Sequence, residues 1–378
     1  MTELQQSDET ARTAAGDPPE LTAFYAQVAA YELQPLWTQT AELMTPTPKP
    51  RSVPWAWHWD LLHRLASRSG DLVPVERGGE RRVLALSNPG LGGLPYATET
   101  LWGAVQFLGP RESAPAHRHS PGAVRFVLEG TGVWTMVNGD ACSMRPGDLV
   151  LTPGWAWHEH HNLSDDPMIW FDGLDLPMVA GLGGVFFQPR EELDLDAEKP
   201  APPVSRSELV HGAAGVVPDP LPSRPAHSPL LVYRWKNTDA ALGGLLDTTG
   251  ERTARIRFTD PTTGGDALPT MRCAMERVLP GARTPSVRTT GSSVYVVRSG
   301  SGRSVVGGTA IDWRAGDMFA VPSWAAVDHE VGEPSDLFQL SDAPAMEALR
   351  LDRHETLEEH QEVRSVFRAP EVPGASRG

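Results

Sequence analysis

The chain has 378 residues, which is enough for two domains of ordinary size. Its formal net charge of −15 argues against nucleic acid and anionic membranes as partners, because the overall field repels them. Two cysteines are too few for a disulfide framework, and the acidic N-terminus lacks the apolar core of a signal peptide, so we expect a cytoplasmic protein. The 36 glycines and 35 prolines favour an all-β protein rich in turns.

Two regions with different periodicity follow each other along the chain. Apolar residues recur near helical spacing between 19 and 44, which predicts one or two helices. Trp55, Trp57 and Trp59 come next, and we expect this arm to pack on the rest of the chain or on another subunit. From residue 73, short apolar runs alternate with turn residues, which indicates a β-sandwich or barrel.

A second group of short strands is predicted after a segment rich in Pro, Glu, Asp and Ala. That segment is interpreted as a linker or a long crossing connection. The tail is charged, and we expect it to be partly helical and then disordered. The predicted organisation is a disordered N-terminal segment with a helical arm, a first barrel, a linker, a second barrel and a tail, at 1–72, 73–189, 190–229, 230–345 and 346–378.

An internal repeat supports this duplication. Residues 115–132 align without a gap to residues 285–302, at an offset of 170. Two shorter blocks, at 145–148 and 153–155, align to 314–317 and 322–324 at an offset of 169. Two copies of one fold are therefore predicted.

Three histidines occur in one copy of the repeat only. His117 and His119 alternate along a predicted strand, so their side chains lie on the same face and can reach one metal ion with His158. Residues shared by both copies indicate fold, whereas residues kept in one copy indicate function. The alternative is that the three histidines are unrelated polar core residues. Their counterparts in the second copy are Val287, Thr289 and Val327.

The first copy resembles the cupin metal motif, through Pro-Ala-His-Arg-His at 115–119 and then Gly147, Pro153, His158 and Asn162. A typical cupin has glutamate where this chain has Ala123, and glycine where it has Trp155. With these two departures and Trp-Ala-Trp-His at 155–158, the sequence resembles the gentisate 1,2-dioxygenase family of bicupins. That family includes salicylate and 1-hydroxy-2-naphthoate dioxygenases, and the resemblance covers roughly residues 20–345.

The resemblance implies an all-β bicupin, with two tandem double-stranded β-helix (jelly-roll) barrels and an N-terminal helical arm. It implies Fe(II) bound by His117, His119 and His158, no metal in the second barrel, and a homotetramer. Imidazole suits iron, and three neutral ligands leave open positions and the full +2 charge. A carboxylate and a neighbouring phenolate can neutralise that charge by chelation, with a further position for O2.

We therefore predict Fe(II)-dependent cleavage of gentisate to maleylpyruvate, between the carbons that bear the carboxyl and hydroxyl groups. The expected partners are a small aromatic hydroxy acid and O2. Salicylate, substituted salicylates and 1-hydroxy-2-naphthoate stay open as substrates. A non-catalytic bicupin that binds an aromatic acid, and a metal-dependent isomerase or decarboxylase, are the alternatives from other classes.

Strand parity selects further candidate residues. Arg125 shares the parity of His117 and His119, and an inward arginine needs an anionic partner. Because its counterpart is Tyr295, the fold does not require the charge, and we assign Arg125 to the substrate carboxylate. A structural salt bridge is the alternative.

The preceding strand presents Trp102, Ala104 and Gln106 on one face. The family resemblance places this strand in the active site, with Gln106 near the metal. Trp102 and Ala104 are predicted to contact the substrate, and Ala104 is a candidate for substrate choice.

Three more residues complete the predicted site. His160 lies two residues after His158 and is assigned an acid–base or hydrogen-bonding role, although its counterpart His329 keeps a structural role open. Asp172 matches the family pattern and is expected to hydrogen-bond a ligand or Arg125. Arg81 is assigned to the carboxylate end of the substrate, with a solvated charge run as the alternative.

Overall fold

The computed structural model describes residues 17–74, 82–190, 201–221 and 226–370. Contacts divide the chain into two units, at 1–49 and 50–378. In the first unit, the predicted helices are present as α1 (Pro19–Ala30), a 3₁₀ turn (Leu36–Thr38) and α2 (Thr40–Leu43). Pro19 is well suited to the first turn of α1, because an N–H at that position would have no partner within the helix.

The second unit is built mainly of short strands. Its first half contains β1 (Trp55–Trp57), α3 (Trp59–Leu72), β2 (Arg82–Ala85), β3 (Trp102–Leu108), β4 (Ser113–His119), β5 (Ala123–Glu129), β6 (Val133–Val137), β7 (Asp140–Ser143), β8 (Leu149–Thr152), β9 (His158–Asn162), β10 (Met168–Leu174), α4 (Leu176–Gly181) and β11 (Phe187–Pro189).

Its second half repeats this order. The elements are α5 (Arg206–His211), β12 (Val232–Tyr233), α6 (Trp235–Thr249), β13 (Thr253–Arg257), β14 (Arg272–Val278), β15 (Val287–Thr289), β16 (Ser293–Ser299), β17 (Ser301–Val306), β18 (Thr309–Arg314), β19 (Met318–Val321), β20 (Val327–Val331), β21 (Ser335–Ser341), α7 (Ala343–Ala348), β22 (His354–Thr356) and β23 (Ser365–Val366). Beyond α7 the described tail forms two short strands, so the expectation of helix there is wrong.

Each barrel consists of two facing sheets. In the first barrel, the strand orders are β12-β8-β5-β10-β3-β2 and β11-β4-β9-β6-β7. In the second, they are β1-β19-β16-β21-β14-β13 and β22-β15-β20-β17-β18-β23. The predicted all-β bicupin with a helical arm is confirmed.

The two barrels pack back to back, through the sheet of the first that contains β5 and the sheet of the second that contains β21. Phe126 on β5 stacks on Phe338 on β21, with ring centroids 4.4 Å apart and planes at 7°. Such a pair contributes about 0.5–1.5 kcal/mol beyond the area that it buries. Gly173 on β10 leaves room for Leu340, because a Cβ there would overlap that side chain. One apolar core therefore serves the outer faces of both sheets.

Each barrel is completed by an edge strand from the other half of the chain. β1 pairs with β19 in the second barrel, and β12 pairs with β8 in the first. The tryptophan-rich arm thus packs within its own chain, as one of the two sequence alternatives anticipated. The exchange is reciprocal, because each edge strand is followed directly by a helix, α3 or α6.

The same exchange supplies a carboxylate to each helix N-terminus. The backbone N–H of Trp59 donates to Asp317 Oδ1 at 2.7 Å, and that of Trp235 donates to Asp148 Oδ1 at 2.9 Å. Asp148 and Asp317 are repeat counterparts. A carboxylate there satisfies an orphan N–H and opposes the positive end of the helix dipole.

The residue before each tryptophan adds a second contact to the same carboxylate. Arg234 Nη1 donates to Asp148 Oδ2 at 2.7 Å, and His58 Nδ1 lies 3.1 Å from Asp317 Oδ2. The hydrogen bond to Asp317 is the main reason that the pKa of His58 is raised. The His58–Asp317 contact therefore depends on the protonation of His58, whereas Arg234 in the counterpart contact stays charged.

We expect His58→Gln to destabilise the protein more at pH 6 than at pH 9. A raised folded-state pKa means that the contribution is fully present below the unfolded value of 6.5, and is lost as pH rises through the folded value. The loss at pH 6 should be about 1 kcal/mol or less, because the His58 side chain is 35% exposed. Chemical denaturation at both pH values measures it.

His63→Gln is the matched control, since its contact with Glu129 is exposed on both sides and contributes little. Equal destabilisation by His58→Gln at both pH values would show that the protonation of His58 does not strengthen its contact with Asp317.

None of the helices in the described ranges combines the length and apolarity needed to cross a membrane.

Candidate metal centre

The three predicted histidines converge inside the first barrel. β4 carries His117 and His119 on one face, and β9 pairs with β4 so that His117 and His158 are Cα partners. Ring centroids are 4.2 Å apart for His117 and His158, and 4.8 Å apart for His119 and His158. The possible ligand atoms lie within 4.8 Å of one another, so a single metal ion could bind all three.

Backbone carbonyls fix the orientation of each imidazole. The Nδ1 atoms of His117, His119 and His158 lie 3.0, 2.8 and 2.9 Å from the carbonyl oxygens of Pro115, Pro121 and Ala156. A carbonyl oxygen only accepts, so each Nδ1 donates its hydrogen. The Nε2 atom of each ring is then the one that can bind a metal, as in most histidine metal sites.

His158 provides the test of whether a metal fits. Its Nε2 atom is buried and has no hydrogen-bond partner among the described residues. An unpaired buried polar atom is costly, and a metal ion would remove the cost. Burial lowers the pKa of His158 well below 6.5, and the charge of Arg125 lowers it further, so the imidazole stays neutral as a ligand must.

Arg125 lies on the opposite wall of the same barrel, in the six-stranded sheet. It is buried, its Nη1 donates to Thr152 Oγ1, and its Nε lies 3.4 Å from Asp172 Oδ1 without a hydrogen bond. Asp172 also accepts from Trp170 Nε1 at 3.0 Å. Burial raises the pKa of Asp172 to about 6 against the opposing effect of Arg125. The structure thus contains a loose ion pair with a buried donor that a carboxylate ligand could use.

The predicted face of β3 lies beside this pair. Ala104 is the Cα partner of Asp172, which is in turn the partner of Arg125, so the three residues form a row across the sheet. Trp102 and Gln106 lie on the same face, one pleat to either side. Ala104 and Gln106 are buried, and Trp102 is half-buried.

His160 lies on the same face of β9 as His158, and its Nδ1 is 2.8 Å from Thr135 Oγ1. Burial and Arg125 lower the pKa of His160 well below 6.5. His161 points to the other face, as expected, where its Nδ1 lies 3.0 Å from Ser113 Oγ and its ring stacks on Trp134.

Of the arginines around the start of β2, the structure describes Arg82. Arg81 lies outside the described residues, so its assignment to the substrate stays a prediction. Its neighbour Arg82 is buried and donates from both Nη atoms to the carboxylate of Glu112 at 2.6 Å. Arg82 is therefore neutralised by Glu112.

Sequence reasoning missed several neighbours of the centre. Thr152 ends β8 and accepts from Arg125, and its parity relative to Arg125 gives no signal of that contact. Phe187 lies on β11 with its ring centroid 5.3 Å from that of His117. β11 is too short for periodicity to predict it.

The second barrel has two valines and a threonine, Val287, Val327 and Thr289, at the equivalent positions. Val287 and Val327 are Cα partners, as are His117 and His158 in the first barrel, which confirms the repeat alignment. A cavity of about 310 Å³ remains in this barrel, and Tyr295 and His329 are among its lining residues.

Comparisons with known proteins agree with this arrangement. A family model described as a cupin domain matches residues 104–174, which include the three histidines and Arg125. Gentisate 1,2-dioxygenase of a Streptomyces species is 50% identical over 342 residues, covering 88% of this chain and 94% of that protein. The 5-aminosalicylate 1,2-dioxygenase of a Comamonas species is 35% identical, covering 89% and 90%.

A solved structure has the same fold over nearly the whole chain. The salicylate 1,2-dioxygenase of Pseudoaminobacter salicylatoxidans, described as an adduct with gentisate, superposes with a TM-score of 0.87 and 45% identity. The match covers 91% of this chain and 96% of that one.

We expect His119→Ala to remove the metal ion, because two remaining imidazoles leave too few protein ligands. Metal content after loading and desalting should fall from roughly one ion per chain to near zero. Thr289→Ala, at the repeat counterpart in the second barrel, is the control and should leave metal content unchanged. Full metal occupancy in the His119 variant would refute the ligand set.

Proposed function

This chain belongs to the gentisate 1,2-dioxygenase family of ring-cleaving dioxygenases, and from that premise we propose that it is an Fe(II) enzyme acting on gentisate. Both atoms of O2 enter the product as the bond breaks between the carboxyl-bearing and hydroxyl-bearing carbons of the ring. The product from gentisate is maleylpyruvate.

The observation that carries this proposal is the buried cluster of His117, His119 and His158. All-imidazole ligation suits Fe(II), and Ala123 removes the carboxylate that a two-histidine, one-carboxylate site would need. Iron, when bound, would supply positive charge and a path by which electron density passes from the aromatic ring to O2. Three neutral ligands leave its charge uncompensated, which favours a dianionic chelating substrate.

The surrounding residues orient that substrate. Arg125 is the buried cation on the wall opposite the histidines, and we assign it to the substrate carboxylate. Asp172 Oδ1 lies 3.4 Å from Arg125 Nε and partly offsets the charge of the guanidinium. A buried site excludes bulk water, so such charge-assisted contacts are stronger than they would be at the surface.

The remaining assignments follow the face on which each residue lies. Gln106 and His160 line the same barrel interior and are assigned to hydrogen bonds with substrate or O2. Trp102 and Ala104 are assigned to the substrate ring, with Ala104 in the row of Asp172 and Arg125. Arg81 is assigned to the carboxylate end of the substrate from sequence alone.

The main alternative substrates are salicylate and its 5-substituted derivatives, as the names of the relatives suggest, together with 1-hydroxy-2-naphthoate. All present the same carboxylate and hydroxyl, so they differ only at the far side of the ring. Gentisate is preferred because the 50% identical relative is a gentisate 1,2-dioxygenase. The two cysteines, Cys142 and Cys273, are free and buried, which suits the reducing cytoplasm that we propose as the location of the protein. From the family resemblance we also propose a homotetramer.

We expect oxygen uptake with Fe(II) and a panel of hydroxybenzoates to show the highest kcat/KM for gentisate. One O2 should disappear per ring, measured with an oxygen electrode and by loss of aromatic absorbance. A higher kcat/KM for salicylate or 1-hydroxy-2-naphthoate would change the substrate assignment. Tight binding with no oxygen uptake would favour a non-catalytic aromatic-acid sensor.

We expect Arg125→Gln to lower kcat/KM by roughly 10- to 100-fold, since a hydrogen bond to a charged group contributes about 1.5–3 kcal/mol. Metal content should not change, which metal analysis of the same sample checks. Steady-state kinetics of Arg125→Gln should show the loss with every carboxylate-bearing substrate of the panel.

The double variant Arg125→Gln/Asp172→Asn separates the two roles of Arg125. Arg125→Gln alone leaves the buried carboxylate of Asp172 without its cation, and Asp172→Asn removes that charge. The double variant should therefore be more stable than Arg125→Gln, while its kcat/KM stays low. Recovery of kcat/KM together with stability would mean that Arg125 is a structural partner of Asp172 only.

A further inference from the structure

Each barrel contains a buried chain of three side chains that ends on a histidine. In the first barrel, His160 Nδ1 lies 2.8 Å from Thr135 Oγ1, which lies 3.1 Å from Met144 Sδ. In the second, His329 Nδ1 lies 2.7 Å from Ser304 Oγ, which lies 2.8 Å from Trp313 Nε1. The members are repeat counterparts at an offset of 169.

The third member of the chain differs in hydrogen-bonding chemistry between the barrels. The sulfur of Met144 can only accept a hydrogen, whereas the indole N–H of Trp313 can only donate one. All three members of each chain are buried, so water does not substitute for a missing partner.

In the first barrel, two hydrogen bonds form only if Thr135 donates its hydroxyl hydrogen to Met144. The hydroxyl oxygen of Thr135 then accepts the Nδ1 hydrogen of His160, so Nε2 of His160 keeps its lone pair. In the opposite tautomer, Thr135 donates to Nδ1 and the sulfur receives nothing, which leaves one hydrogen bond instead of two.

In the second barrel, the same count gives the opposite tautomer. Ser304 accepts the indole hydrogen of Trp313 and donates its own to Nδ1 of His329. The hydrogen of the His329 ring therefore lies on Nε2. If His329 donated from Nδ1 instead, the buried hydroxyl hydrogen of Ser304 would have no acceptor.

The ring atom of His160 that this chain occupies is Nδ1. No hydrogen bond to Nε2 of His160 occurs among the described residues.

We propose that Thr135 and Met144 are positioning residues that hold His160 in the tautomer whose Nε2 accepts a hydrogen bond from the substrate hydroxyl group before that group ionises to chelate the metal. His329 presents a donor at the equivalent place, so the second barrel cannot substitute for this role. The substrate contact rests on the proposed function, whereas the tautomers do not.

The test is ¹⁵N NMR of histidine-labelled full-length protein, metal-free and again with zinc, which does not broaden the signals. His160 should carry its hydrogen on Nδ1 and His329 on Nε2, with assignment by His160→Gln and His329→Gln. Opposite tautomers in one sample support the proposal. The same tautomer in both histidines, or an Nε2 hydrogen on His160, overturns it without any reference to activity.

Three conservative variants then test the positioning role. Met144→Leu keeps the volume but removes the acceptor, so an Nε2–H population of His160 should appear and kcat/KM for gentisate should fall in proportion. Thr135→Ser keeps the hydroxyl and should behave as wild type. Trp313→Phe, in the other barrel, should leave His160 and turnover unchanged.

The two failures are distinguishable. A changed tautomer in Met144→Leu with unchanged kcat/KM would refute the substrate contact but not the tautomer selection. Wild-type protein that shows the expected tautomers but no oxygen uptake with any hydroxybenzoate would refute the proposed function alone.

Discussion

The permanent positive charge of Arg125 inside the first barrel constrains the chemistry around it. Its guanidinium is buried and adds to burial in lowering the pKa values of His158 and His160. A protonated imidazole cannot bind a metal or accept a hydrogen bond. Burial and this cation together therefore favour neutral imidazoles at His158 and His160, the form that a metal ligand requires.

Asp172 determines how much of that charge is left for a ligand. Burial raises its pKa to about 6, so the carboxyl is ionised at neutral pH but close to protonation. At 3.4 Å it offsets Arg125 without forming a hydrogen bond to Nε. A divalent ion on three neutral imidazoles would then add charge that no protein carboxylate among its ligands cancels. The ligand set itself thus favours an anionic substrate.

The repeat and the histidine triad could be predicted from sequence because both depend on local pattern. Strand parity places His117 and His119 on one face, and the offset to Val287 and Thr289 separates function from fold. The exchanged edge strands could not be predicted, because β12 has two residues and β1 three. Asp317, which accepts the hydrogen bond from the backbone N–H of Trp59, is 258 residues away in sequence. No periodicity within either segment indicates such a partner.

Trp155, which departs from the typical cupin sequence, has a structural role that the sequence alone does not reveal. Trp155 stands where a typical cupin has glycine, and its φ of 64° lies in the left-handed region that favours glycine. The guanidinium of Arg118 lies 4.3 Å from its ring, and the second barrel repeats the arrangement with Arg288 on Trp324. Since the second barrel, which lacks the histidine triad, keeps the same pair, Trp155 belongs to the fold and is not specific to the candidate metal centre.

The cost of buried polar groups favours apolar residues where the second barrel lacks the triad. Imidazoles without a metal would leave unpaired nitrogen atoms in the barrel interior, as His158 Nε2 does in the first. Val287 and Val327 remove that cost at paired positions. The sheet of the second barrel that contains β21 supplies Phe338 and Leu340 to the common core, so it covers the outer face of the first barrel.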